Sequence, residues 1–544
     1  MRIRGNKMEE RYSVVRRKLI PYVLMPAFVG VMSGILIFLF KIAASHVLNL
    51  SGRIYAFIRE NPQYIPLLLL GALIIGSLSS LILKFAKECR GGGIPTAVAS
   101  IRGYIPLKWV QGVFVLFFSA LLTFLVGVPL GNEGPSVQMG TALGKGSSKL
   151  LGKKRKAWER YEMTSGACAG FAVATGAPIS GILFALEETH RRFSLAIFTV
   201  ASIAVITGSI TQELLSSIFG VKTTLFDFTI DEVLPAKYLW IPLVIGIICA
   251  VISLFITDMY RGAGKVDKTN TTKLPFTVKV IIIFIVSALF GLISSDFIGT
   301  GHDLIESILH GDGVWYILIA AFVIRAALMI FANGQGVSGG IFVPNLTFGA
   351  IIAALISKAL ISAGVLEEQY FPILVVVGMA SFLSAASRTP ITALVFAAEA
   401  LCLAHNVLPV AIGVAFAYML AEFSAKHSFA DAVIESKFEN SHHGMTPIII
   451  DTHMTVMPSS IAIGQKTSEI LWPPTCVVLS MEKHDTHLLY EGTTIRVGDV
   501  LHLHYQTYDP KRTYRRLTDI LGEQPEDSNT KVYHVEKTHL TPID

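Results

Sequence analysis

The chain is 544 residues long, 52% apolar and only 15% charged, with a mean hydropathy of +0.58. A soluble domain carries about 25% charged residues, so a deficit spread over so long a chain places the protein in a membrane. The same figures exclude a disordered, nucleic-acid-binding, collagen-like or disulfide-stapled chain, since the five cysteines show no pairing pattern and the net charge of +6 is what basic loops of a membrane protein supply.

The first apolar run, Tyr22 to Leu50, follows Arg2, Arg4, Lys7, Arg11, Arg16, Arg17 and Lys18. It is too long for a signal peptide and is expected to be an uncleaved first span, with residues 1–19 a cytoplasmic segment. Further apolar runs lie at about 65–86, 109–130, 164–189, 195–218, 239–257, 276–299, 315–332, 341–364, 371–401 and 407–423. Several are cut by Gly, Pro or Glu, so broken helices are expected rather than a bundle of full spans. Basic clusters at Lys145 to Arg160 and Arg261 to Lys273 are expected inside, and the acid-leaning stretch around Asp227, Asp231 and Glu232 outside.

The chain repeats itself. Gly166, Pro178-Ile179, Phe184-Ala185 and Glu187 fall on Gly378, Pro390-Ile391, Phe396-Ala397 and Glu399, 212 residues on, while Gly131, Pro135 and Gly140 fall on Gly340, Pro344 and Gly349, 209 residues on. Two matches at nearly one offset indicate a duplication, with halves of about 20–218 and 237–425. An outside connection between them makes the halves inverted, and such folds carry their transport site between repeats near the bilayer midplane.

Three segments share a Gly-rich, Pro-containing turn opening a helix: Gly91-Gly92-Gly93-Ile94-Pro95, Gly131-Asn132-Glu133-Gly134-Pro135 and Gly339-Gly340-Ile341-Phe342-Val343-Pro344. Glycine lets backbone approach closely, proline fits the first turn, and the first N–H groups of each helix lack intrahelical partners. Each turn is either a kink at a tight helix crossing or an anion site, and three of them, two related by the repeat, favour the anion. Glu133 is a carboxylate at such a turn, able to take an anion's place. Burial disfavours its charge and the helix end favours it, so it can serve as gate and proton carrier, the alternative being a capping carboxylate. Asn132 is either an amide donor to the same site or a surface cap. Glu187 and Glu188 precede His190-Arg191-Arg192. They are either salt-bridged and solvated or, for one of them and preferentially Glu188, a relay of protons to Glu133, whereas Glu399 reads as a packing residue.

Residues 446–523 alternate polar and apolar, with Pro473-Pro474 and Val497-Gly498-Asp499 as turns and a short helical stretch near Lys466 to Leu471. A small α+β cytoplasmic domain is expected there, followed by a polar, loose tail over 524–544. The spans contain no Ser/His, paired-Asp or His-Glu-x-x-His arrangement, so an intramembrane hydrolase is not expected, and no metal or cofactor is called for.

At these residues the chain resembles the CLC family of chloride channels and proton-coupled chloride exchangers, over about 20–437. The glutamate motif Gly131 to Pro135, the Gly340 to Pro344 motif and the Glu187-Glu188 pair stand in family order and spacing. The resemblance implies an all-α polytopic membrane protein of the CLC-type inverted-repeat fold with broken helices. It further implies a homodimer with one pore per subunit, multi-pass in the inner membrane with both termini cytoplasmic, exchanging chloride for protons. It implies Glu133 as external gating glutamate and Glu188 as internal proton glutamate. Gly92, Gly93, Ile94, Asn132, Gly134, the backbone N–H groups of Ile341 and Phe342, and Ala430 would line the anion path. A passive anion channel and a fluoride/proton antiporter remain open. Gly92 stands where the family usually has serine, Asn132 where it has arginine and Ala430 where a tyrosine closes the inner anion site, so both hydroxyl donors are expected to be missing. The pattern Gly464, Leu471-Trp472-Pro473-Pro474, Gly492 and Gly498-Asp499 resembles the TrkA-C (RCK-C) type of regulatory domain. That resemblance implies pairing as a dimer, with a small-molecule or nucleotide ligand between subunits as one possibility.

Overall fold

In the computed structural model, which describes residues 19–91, 93–150, 157–226, 228–268, 274–401, 403–424, 426–442, 445–483, 486–488, 493–524 and 530–534, the apolar runs are helices. The first half supplies α1 (Met25–Glu60), α2 (Ile65–Phe85), α3 (Ile94–Arg102), α4 (Trp109–Val126), α5 (Glu133–Leu150), α6 (Glu159–Thr175), α7 (Pro178–Phe184) and α8 (Leu195–Phe219). The second half answers helix for helix with α9 (Trp240–Lys268), α10 (Phe276–Ile293), α11 (His302–Leu309), α12 (Trp315–Gly334), α13 (Phe342–Ser362), α14 (Phe371–Ser387), α15 (Pro390–Glu399) and α16 (Val407–Phe423). Nine helical stretches among the described residues are long and apolar enough to cross a membrane.

The breaks arise from local chemistry. After α6, Gly176 turns left-handed at φ 68° and Pro178 opens α7; after α14, Arg388 adopts the same conformation at φ 61° and Pro390 opens α15. Proline cannot continue the preceding ladder but fits a first turn, so one apolar run becomes two helices. The expected single run over 371–401 is therefore divided at residues 388–389.

Packing repeats as well. A Cβ at Gly140 of α5 would fall 2.0 Å from the Gly166 carbonyl of α6, and one at Gly349 of α13 would fall 2.2 Å from the Gly378 carbonyl of α14. Helix pairs this close exchange dispersion contacts along their backbones, which is how membrane helices associate without a hydrophobic drive. The short, charged α11 has no counterpart among the expected apolar runs; Leu304, Ile305, Ile308 and Leu309 bury one face of it.

Two carboxylates lock the halves to each other. Glu187, in the π-helical turn Ala185–Thr189, accepts hydrogen bonds from the N–H groups of Ile391 (2.9 Å) and Thr392 (2.7 Å) and from Thr392 Oγ1 (2.7 Å) at the start of α15. Its counterpart Glu399 accepts from the N–H groups of Ile179 (2.7 Å) and Ser180 (2.9 Å) and from Ser180 Oγ (2.9 Å) at the start of α7. Each half caps the other's broken helix.

After α17 (Phe429–Ser441) the chain forms a five-stranded antiparallel sheet, β1 (Ile448–Thr455), β2 (Val477–Lys483), β3 (Thr486–Leu488), β4 (Val500–Thr507) and β5 (Thr530–His534), in the order β3-β2-β4-β1-β5. The alternation is read correctly in β1 and β4, whose inward residues Ile450, Met454, Leu501, Leu503 and Tyr505 form the core with Leu517, Ile520 and Leu521 of the helix α18 (Pro510–Leu521). The reading of everything from 524 as a loose tail is corrected at β5: Thr530–His534 pairs with the free edge of β1, whose other edge is taken by β4. The stretch expected to be helical near Lys466 to Leu471 is a single 3-10 turn, Thr467–Glu469, followed by extended chain. That extended segment docks on the membrane domain, where Arg160 Nη1 donates to the carbonyls of Leu471 (3.1 Å) and Trp472 (2.5 Å), Arg192 Nη2 to that of Ile470 (2.9 Å) and Tyr161 Oη to that of Glu469 (3.1 Å). Gly492 lies outside the described residues.

Candidate functional site

The three Gly-Pro turns meet. Gly131 and Gly340 exchange backbone hydrogen bonds, each N–H donating to the other's carbonyl at 2.7 Å, which ties the start of α5 to the start of α13. Gly134 lies against both other turns: a Cβ on Gly93 would fall 2.5 Å from Gly134 Cα, and one on Gly134 would fall 2.5 Å from Gly340 Cα. Three helix N-termini, two of them repeat-related, thus converge through glycine backbone alone, and larger residues would hold them apart.

A cavity of about 20 Å³ lies beside this junction, lined by Ile94 and Pro95 of α3, Ile341, Phe342 and Asn345 of α13, Glu188, Ser387 and Ala430 among others. That is room for a single water-sized occupant. The Phe342 ring is held edge-on by Phe171 of α6 (5.3 Å between centroids) and by Phe396 of α15 (5.1 Å). Both halves therefore fix the position of the Phe342 backbone.

Glu133 is fully buried, and neither carboxylate oxygen has a hydrogen-bond partner among the described residues; Asn132 is 8% exposed, with Oδ1 likewise unpaired. Neither residue lines the cavity that holds Glu188: Glu133 opens α5 and Asn132 immediately precedes it, next to Gly134 of the glycine contact. The structure separates the adjacent glutamates. Glu187 is consumed by the α15 cap, while Glu188 faces the cavity and its carbonyl accepts from Arg102 Nη2 (3.0 Å) of α3. So Ile94, Ile341, Phe342, Ala430 and Glu188 come together on one side, and Gly93, Gly134, Asn132 and Glu133 at the junction. Gly92 lies outside the described residues.

Sequence reasoning missed two side chains here. Ser387 puts a hydroxyl into the cavity lining, although its Oγ already donates to the Leu383 carbonyl (2.7 Å) and pairs with Thr389 Oγ1 (2.6 Å). Lys41, the lone lysine inside the first apolar run, donates to the Thr223 carbonyl (2.8 Å) and is near enough to Glu133 to act on its carboxylate. A lone charge in an apolar span is a signal in itself, and Lys41 carried it.

The H(+)/Cl(-) exchange transporter ClcA of Salmonella arizonae is 28% identical over 433 residues, covering 78% of this chain and 90% of the relative. The crystal structure of a slow cyanobacterial Cl-/H+ antiporter superposes with a TM-score of 0.68 at 22% identity, covering 77% of this chain and 98% of the other, and that of a CLC-type fluoride/proton antiporter with 0.63 at 19%, covering 76% and 98%. The family model described as voltage gated chloride channel matches residues 71–422, from within α2 to within α16. The chain is a multi-pass membrane protein that belongs to the voltage gated chloride channel family.

Proposed function

We propose that this protein is a secondary-active antiporter exchanging chloride for protons across the inner membrane, as a homodimer with both termini cytoplasmic. The observation that carries the reading is the buried, unpaired Glu133 carboxylate at a junction of three helix N-termini. Converging N–H groups and helix dipoles favour a negative charge, and either a halide or the glutamate can supply it. When the anion arrives the carboxylate must leave or take a proton, and that competition couples the two flows. Glu188 delivers protons from the cytoplasmic side, and Gly92, Gly93, Ile94, Asn132, Gly134, Ile341, Phe342 and Ala430 line the anion path. The names of the ClcA relatives and of the cyanobacterial neighbour support this reading.

A fluoride/proton reading draws on the absence of a hydroxyl at both Gly92 and Ala430, which leaves backbone donors and water to hold the anion. The C-terminal sheet domain would act as a regulatory domain of the TrkA-C type. Proteoliposome flux tests the proposal: an imposed chloride gradient should drive protons uphill in wild type and not in Glu133→Gln. Chloride flux with no proton movement in wild type would make the protein a channel, and proton pumping by fluoride alone would move it to the fluoride reading.

A further inference from the structure

Where α18 of the C-terminal domain approaches the membrane domain, the two border a second, open-sided cavity of about 220 Å³. By the same measure that is about ten times the first cavity. Its lining is strongly basic: Arg512, Arg515 and Arg516 come from α18, Arg160 from the first turn of α6 and Lys145 from α5. Two carboxylates oppose them, Glu159, which pairs with Lys145 at 3.3 Å, and Asp519, so among the described residues the lining carries a surplus of three positive charges.

That surplus joins the solvent-exposed Arg512 and Arg515 to the better-anchored Arg160 and Arg516. Arg512, Arg515 and Arg516 stand three and four residues apart on one helix, where like charges repel. Arg160 is fixed by the Ile101 carbonyl (2.6 Å) and by the docked Leu471 and Trp472 carbonyls, and Arg516 packs on Gly103, whose added Cβ would meet its Nη1 at 2.7 Å. Burial, then the charge of Arg512 beside it, holds the Arg516 guanidinium below its usual value, against the opposing pull of Glu159, Asp509 and Asp519. Guanidinium forks pair two oxygens at a time, which suits phosphate better than a halide.

The cavity also touches the transport machinery. α3 is nine residues long: its first residues, Ile94 and Pro95, line the transport cavity, while Ser100 and Gly103 at its other end line this one. We propose that the interdomain cavity binds a phosphate-bearing anion and that its occupancy is transmitted to the transport site along α3. The ligand is either a soluble phosphate ester or the headgroup of a phospholipid, and it sits between two domains of one chain rather than between subunits.

Equilibrium dialysis of full-length protein in neutral detergent against radiolabelled inorganic pyrophosphate tests the site. Wild type should bind saturably, Arg512→Ala/Arg515→Ala should bind at least tenfold more weakly, and Arg512→Lys/Arg515→Lys should recover part of the loss, separating charge from folding. Exchange rates in neutral and in phosphatidylglycerol-containing liposomes then distinguish the sources. A pyrophosphate effect in neutral liposomes identifies a soluble ligand, and a phosphatidylglycerol effect lost in the alanine variant identifies a headgroup. Absence of saturable binding together with an identical lipid response of wild type and variant overturns the site, and binding without any change of rate overturns transmission along α3. Binding in a protein that moves no chloride would leave the cavity standing and remove the antiport reading instead.

Discussion

The membrane domain contains half-buried carboxylates that are satisfied and a fully buried one that is not, and their difference is instructive. Glu187 and Glu399 each accept three hydrogen bonds from the opposite half, so the duplication satisfies them reciprocally. Glu133 accepts none from the described residues. By the 209-residue offset its counterpart is Phe342, an apolar ring clamped by two other rings. Symmetry accounts for the scaffold, and a fully buried, unpaired acid standing opposite a phenylalanine is a departure from it. A buried carboxylate without partners costs several kcal/mol, a cost that the proposed gating role of Glu133 would explain.

The sharpest way to break this contrast is Glu133→Gln, which keeps size and removes the exchangeable charge. Chloride-driven proton flux is expected to fall on the order of a hundredfold, to background, with anion flux retained. A fluorescent pH indicator inside proteoliposomes reads it. Undiminished proton movement would assign the coupling to another residue.

Next in size are the reciprocal caps. Glu187→Ala leaves two backbone donors and a hydroxyl at the start of α15 without their acceptor and should cost about 2 to 3 kcal/mol. Glu399→Ala should cost a similar amount, and both should lower the melting temperature in detergent while leaving the proton-to-anion ratio unchanged. A shifted ratio in Glu187→Ala would return that residue to the proton path. Gly134→Ala comes third: its methyl group would fall 2.5 Å from Gly340 Cα, so the three turns must separate, at about 1 to 3 kcal/mol. Anion flux should drop more than stability, because the N-termini lose their convergence before the helices unfold.

These contrasts mark what the sequence could and could not convey. The duplication was legible because Gly and Pro positions are set by backbone geometry, so Pro178 and Pro390 keep their register whatever surrounds them. Glu133 was legible because an acid inside a Gly-Pro turn has few bland explanations. Sequence reasoning prefers Glu188 over Glu187 for the proton role, but the capping partner of Glu187 was not legible, since neighbours on a helix point in different directions and only the packed π-helical turn decides which faces α15. α11 was missed because its apolar stripe is short and interrupted by Asp303 and Glu306. α18 was overlooked although Asp509 before Pro510 is a helix-start signal, with Asp509 accepting from the Arg512 N–H at 3.0 Å. β5 was hidden by its polar surroundings, because a five-residue edge strand takes its stability from β1 rather than from its own composition.

The smallest effect sharpens the comparison of the halves most. Arg388 occupies a left-handed position that its counterpart Gly176 fills without strain, at an intrinsic cost of about 1 to 2 kcal/mol. In exchange its guanidinium donates to the carbonyls of Ala385, Ala421 (2.7 Å) and Lys426 (3.2 Å), joining α14 to the end of α16. Arg388→Gly relieves the backbone but adds chain entropy to the unfolded state and removes hydrogen bonds that, discounted for their partial exposure to solvent, contribute about 2 kcal/mol together. The balance predicts a net loss of about 1 kcal/mol, read as a small drop in melting temperature with transport intact. The reverse exchange is not equivalent, because a Cβ at Gly176 would meet the Thr223 carbonyl at 2.8 Å. Should Arg388→Gly instead raise the melting temperature, the bonds to α16 contribute less than the strain they hold, and the second half would be stable without its departure from the first.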